Sequence, residues 1–114
     1  GVYLPMPIPP EYEHFKATVG SWLDADGLDF RGASVTIPHK ENLLRFVDAA
    51  AGHEVRVEPL ARAIGAANTL AVGSDGSLSV SNSDYAAVLD SVCEALSIGR
   101  EDLAGKRVAV LGAG

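Results

Sequence analysis

Tyr12, Phe15, Val19, Trp22 and Leu23 recur at helical spacing, while Glu11, Glu13, Lys16 and Asp24 fill the other face. This pattern predicts an amphipathic helix that lays one face on a core. Gly27 suits its C′ stop. Before it, Val2-Tyr3-Leu4 reads as a short strand, and Pro5, Pro7, Pro9 and Pro10 enforce an extended connection. After it, Ala33 to Ile37 alternate and are rich in β-branched residues, as a period-two strand requires. Pro38 cannot donate to a ladder, so the strand stops there and a helix from about His39 to Ala51 follows, ended by Gly52.

Further along, Glu58 to Ile64 suits a short helix with Pro59 in its first turn. Asn68 to Val72 reads as a strand. Gly73-Ser74-Asp75-Gly76 is a turn signal, and Leu78 and Val80 give a second short strand, so the pair is expected to be a hairpin. Asp84 to Leu96 carries Ala87, Val88, Val92, Ala95 and Leu96 at helical spacing. Lys106 to Leu111 reads as a buried-type strand running into Gly112-Ala113-Gly114. Strands and helices mixed in this way imply α/β architecture. A second domain is expected to start near Gly105, which gives the chain the look of a fragment.

Composition narrows the class. The 114 residues are one domain's worth, and 47% apolar content supports a core. A formal net charge of −6 argues against nucleic acid or a membrane surface as partner, since phosphates demand a basic patch. The apolar runs are too short to span a bilayer. Cys93 is the single cysteine, so an internal disulfide or a cysteine-based metal site is ruled out, and a reducing, cytoplasmic setting is the natural reading. His14, His39 and His53 are too scattered to suggest a metal centre, and none is assigned.

The chemistry concentrates in three places. Thr36 and Lys40 flank a strand-to-helix turn at the carboxyl end of a strand, where open α/β sheets bind ligands. A lysine in a first helical turn is ordinarily a solvated charge, and it slightly opposes the helix dipole. Ser81-Asn82-Ser83-Asp84 precedes a helix that needs only one N-cap, and a carboxylate at Asp84 beside a lysine would make an acid/base pair. Asn68 lies in an apolar setting where an amide must be hydrogen-bonded, either fixing a turn or reaching a substrate hydroxyl. Gly112-Ala113-Gly114 supplies the first two glycines of a dinucleotide-binding turn, a weak motif by itself.

Taken in order, Val35-Thr36-Ile37-Pro38-His39-Lys40-Glu41, Ile64-Gly65-Ala66-Ala67-Asn68-Thr69-Leu70, Asn82-Ser83-Asp84 and Val110-Leu111-Gly112-Ala113-Gly114 resemble the shikimate dehydrogenase family. The resemblance implies an NADP-dependent oxidoreductase that interconverts 3-dehydroshikimate and shikimate in aromatic amino acid biosynthesis. It also implies a three-layer α-β-α substrate domain with a mostly parallel sheet over residues 1–84. A connecting helix and linker over 85–104 and the first strand and turn of a Rossmann-like cofactor domain over 105–114 would follow. Carried over, Lys40 matches the catalytic lysine and Asp84 its partner, which also binds substrate. Thr36 and Asn68 match contacts to ring hydroxyls, and Gly112, Ala113 and Gly114 match the NADP turn. Ser34, Ser83 and Tyr85 stand where the family often has Asn, Thr and Gly, and the family's Ser-x-Ser pair would precede Gly1. A piece of this extent is expected to be inactive by itself. Related readings are a quinate/shikimate dehydrogenase, a half fused to a dehydroquinase, and a non-catalytic module that binds a shikimate-like ligand. A homodimer is compatible with any of them.

Overall fold

The computed structural model describes residues 1–111, which fall into two compact units, Gly1–Ser83 and a second beginning at Asp84. The first unit contains α1 (Tyr12–Asp24), β1 (Gly32–Ser34), α2 (Lys40–Asp48), β2 (Val55–Val57), α3 (Pro59–Ile64), β3 (Thr69–Val72) and β4 (Leu78–Ser81). The expected helices are present, and β3 and β4 form the expected hairpin. β2 lies in a stretch the hydrophobic pattern left unread. It has only three residues, too few for alternation to stand out.

The sheet is ordered β1-β3-β4-β2. β1 pairs with β3 and β3 with β4 antiparallel, and only β2 and β4 run parallel. The architecture is α/β, but the sheet is mixed, in place of the mostly parallel one expected. Connection length accounts for the β3–β4 pair: the turn after Val72 is too short for the crossover that parallel strands require. Gly73 N–H donates to the Ser77 carbonyl (2.8 Å), closing that turn, and Gly76 occupies it at φ +80°.

Register sorts the side chains into rows. Ala33, Leu70, Val80 and Val57 are cross-strand neighbours, as are Val72, Leu78 and Val55, and these rows face the core. The alternate row, Gly32, Ala71, Ser79 and Arg56, is small or polar, and Ala71, Ser79 and Arg56 are exposed. Gly32 (φ +144°) passes so close to β3 that a Cβ there would overlap the Leu70 carbonyl oxygen. Phe15 and Val19 of α1, Leu43, Leu44, Phe46 and Val47 of α2, and Ala61 of α3 complete one buried cluster with Leu70, Leu78 and Val80. Phe15 meets Phe46 edge-on at 6.2 Å between ring centres, and Trp22 packs on Phe30 at 5.3 Å.

Two predicted strands are absent from the sheet. Val2, Tyr3 and Leu4 join no ladder and are exposed. Residues 106–111 join no ladder, and Val108, Val110 and Leu111 face outward. A buried-type strand is stable only with neighbours and helices over both faces, and among the described residues none are supplied. Gly112, Ala113 and Gly114 lie outside the described residues. The second unit comprises α4 (Ser83–Leu96), whose bounds begin one residue earlier, and a 3-10 turn at Arg100–Leu103, in which Arg100 pairs with Asp90 (2.6 Å). No helix among the described residues is long and apolar enough to cross a membrane.

The hairpin turn carries an acid-sensitive bond. Asp75 Oδ1 accepts the Ser77 N–H (3.0 Å), and hydrogen bonds from the Ser77 side chain and backbone hold the carboxyl below its ordinary range. A carboxyl depressed on folding stabilises above its unfolded pKa and loses that contribution as pH falls through the folded value. We therefore expect the Ser77 amide to keep its protection through the ordinary aspartate range and lose it only at more acid pH, and Asp75→Asn to remove that pH dependence. An Asp75 carboxyl titrating at or above the ordinary aspartate value, followed by NMR, would show the bond to be absent in solution.

Candidate functional site

The mixed topology brings separate segments to one end of the sheet. The carboxyl ends of β1, β2 and β4 and the amino end of β3 all lie there, which follows from the strand directions. Thr36 comes two residues after β1, Glu58 directly after β2, Asn68 directly before β3, and Asn82 directly after β4.

The turn between β1 and α2 departs from expectation in detail. The strand ends at Ser34, not Ile37, because Thr36 to His39 form a reverse turn closed by His39 N–H on the Thr36 carbonyl (2.8 Å). The Ile37–Pro38 peptide is cis, and Pro38 sits at the third turn position, ahead of the helix it was expected to open. Val35 leaves the sheet last, its N–H still on the Asn68 carbonyl (2.7 Å). Val35 packs on the core, whereas Ile37 is 82% exposed at the tip of the turn.

His39 anchors this turn. It is 6% exposed and stacks on Phe15, with ring centres 5.0 Å apart. A carbonyl can only accept, so Nε2 carries the hydrogen it donates to the Ile8 carbonyl (3.1 Å). Nδ1 accepts from Asn42 Nδ2 (3.0 Å). The histidine ties the proline-rich segment, α1 and the first turn of α2 together, a role its isolation from other metal-type ligands left unassigned. Among the described residues no group of three or more His, Cys, Asp or Glu side chains could hold a metal ion.

Lys40, the first residue of α2, is half-buried. It lines an open depression of about 300 Å³ with Ile37, Pro38, Glu41 and Ala66. That volume lies at the small end for ligand sites, enough for one small ring. Ala67 N–H donates to the Lys40 carbonyl (2.9 Å), which fixes the start of α2 against the segment leading to β3.

Asn68 is held through both its backbone and its side chain. Its N–H reaches the Ser81 carbonyl (3.1 Å), Nδ2 donates to Ser83 Oγ (3.0 Å), and Oδ1 accepts from Ser83 N–H (3.1 Å) and Thr69 Oγ1 (2.8 Å). The turn-fixing role is what these bonds display. Ser83, whose residue type departs from the family's Thr, retains the hydroxyl that makes this contact. The structure thus gathers Thr36, Lys40 and Asn68 at one sheet end. Asp84 is exposed in the first turn of α4, where the helix N-terminus favours an anion, and belongs to the second unit.

Comparison with known proteins decides what this arrangement belongs to. Residues 1–70 match the shikimate dehydrogenase substrate binding domain. The chain belongs to the shikimate dehydrogenase family. It is 42% identical over 84 residues to a shikimate dehydrogenase (NADP(+)) of Paramagnetospirillum magneticum, covering 74% of this chain and 26% of that protein. It is 45% identical over 87 residues to the Moorella thermoacetica enzyme of the same name, covering 76% and 25%. A pentafunctional AROM polypeptide of Yarrowia lipolytica is 31% identical over 113 residues, 94% of this chain and 7% of that protein. The chain spans about a quarter of the length of the first two relatives. Membership in the shikimate dehydrogenase family gives the depression beside Lys40 its setting, because all five of its lining residues fall within the matched span.

Proposed function

We propose that this chain is the substrate-binding part of an NADP-dependent shikimate dehydrogenase that reversibly reduces 3-dehydroshikimate to shikimate. The observation that carries the reading is Lys40, half-buried at the rim of a small depression within the matched substrate-binding segment. NADP, when bound, would supply the hydride chemistry at the substrate carbon. Everything else falls to side chains. Lys40 gives a proton to the oxygen formed on reduction and takes it back in the reverse direction. Thr36, exposed at the mouth of the turn, and Asn68 bind ring hydroxyls, and groups so placed discriminate against analogues that lack them.

Asp84 is assigned by its place in Asn82-Ser83-Asp84, as a carboxylate that binds a hydroxyl and favours the charged lysine. Gly112, Ala113 and Gly114 are assigned to the NADP turn on sequence alone, as the opening of a cofactor domain over 105–114. Fusion to a dehydroquinase is consistent with the multifunctional relative.

The direct test is the intact protein with shikimate and NADP⁺, followed by the absorbance of NADPH, with quinate and NAD⁺ run in parallel. Shikimate turnover with NADP⁺ is the expected result. Shikimate binding without any NADPH formation would instead support a non-catalytic ligand-binding protein.

A further inference from the structure

Asn82 is 6% exposed, and the chemistry above gives it no task. Its Nδ2 donates to the Ala66 carbonyl (2.9 Å), and its N–H donates to Glu58 Oε2 (3.1 Å). Glu58 occupies the N-cap position of α3, yet its side chain caps nothing there. Its backbone N–H is on the Val80 carbonyl (2.9 Å), so the residue is held against β4 at both ends. Ala66 lines the Lys40 depression, Ala67 N–H holds the Lys40 carbonyl, and Asn68 follows. One buried amide therefore ties the segment that carries Asn68 and grips the Lys40 carbonyl to the carboxyl ends of β2 and β4.

We propose that Asn82, supported by Glu58, is a positioning residue that fixes the Ala66–Asn68 segment and with it the placement of the Asn68 amide against Lys40. The inference rests on the functional reading above for its kinetic consequence and on geometry alone for its structural one. Removing the Nδ2 donor leaves the Ala66 carbonyl without that partner, and the segment is free to shift. A small displacement of binding groups is felt in substrate affinity as well as in rate.

The test uses the intact protein and Asn82→Ala, Asn82→Asp, Glu58→Ala and Glu58→Gln. Hydrogen exchange at the Ala67 and Asn68 amides reads the clip directly. In Asn82→Ala it should accelerate roughly tenfold, the effect of losing one buried hydrogen bond. In kinetics well below the melting temperature, the shikimate KM of Asn82→Ala should rise roughly 10- to 100-fold. Asn82→Asp, which turns an acceptor toward the Ala66 carbonyl, should do at least as much. Glu58→Gln keeps an acceptor for the Asn82 N–H and should restore the wild-type KM that Glu58→Ala raises.

A merely structural role predicts a lower melting temperature with KM unchanged, since unfolded molecules subtract only from apparent kcat. That result, or unaltered exchange at both amides, overturns the proposal. If Asn82→Ala does not fold, the Glu58 pair decides on the same criteria. If the wild-type protein turns over no shikimate, the functional reading fails, and the exchange data still decide the clip.

Discussion

Replacing Lys40 by alanine in the intact protein is expected to lower kcat for shikimate oxidation by roughly 10²- to 10⁴-fold, the usual worth of a positioned proton-transfer group. KM for shikimate should change far less. Lys40 opens α2, its carbonyl is gripped by the Ala67 N–H, and it lines a depression at the sheet end to which β1 and β3 also bring Thr36 and Asn68. Lys40→Arg sharpens the test. Arginine keeps the positive charge but does not deprotonate, so it can attract a substrate oxygen and cannot exchange a proton with it. If Lys40 transfers a proton, both variants lose kcat together. If it only supplies charge, Lys40→Arg retains most of the rate. A large rise in KM with kcat preserved would place the lysine in uniform binding and count against acid/base work.

The parts of the fold legible in the sequence are those whose pattern is local. The faces of α1 and α2 were written in the spacing of Phe15 and Val19 and of Leu43, Leu44, Phe46 and Val47, and the hairpin was written in Gly73 to Gly76. Strand direction was not local. Nothing within Gly32–Ser34 or Val55–Val57 says whether its partner runs parallel, and the family expectation of a mostly parallel sheet gave way to a mixed one. The Lys106–Leu111 segment shows the same limit, since an apolar run marks a strand only where other strands receive it.

At the site, residue types pointed to Thr36, Lys40 and Asn68 because each breaks a local apolar or turn pattern. The bonds that hold them in place were invisible. Glu58 to Asn82 and Asn82 to Ala66 join residues 24 and 16 positions apart. The one available signal was an excess of polar residues at Ser81-Asn82-Ser83-Asp84 over what a single cap needs. His39 gave less, since burial of its ring against Phe15 depends on a helix more than twenty residues upstream.

Replacing Leu70 by alanine should have the largest effect on stability, about 2–5 kcal/mol. Leu70 is 2% exposed on β3, an inner strand, with Ala33 beside it on β1 and Val80 on β4, and it belongs to the same cluster as Phe15, Leu43 and Phe46. Truncation removes apolar burial and leaves a void that paired strands on both sides cannot close. Against a total of about 5–15 kcal/mol for a typical domain, that is a large share of the stability. Ala71→Ser is the control. Ala71 is the next residue on the same strand, points to the opposite, exposed face, and should cost no more than about 0.5 kcal/mol. Trp22 is the single tryptophan and packs on Phe30 at the edge of the cluster, so its fluorescence reports the core directly during urea denaturation. Leu70→Ala should move the midpoint far to lower urea while Ala71→Ser leaves it in place. Equal midpoints for the two variants would mean that the row Ala33-Leu70-Val80-Val57 is not the core face, and the register derived for this sheet would have to be abandoned.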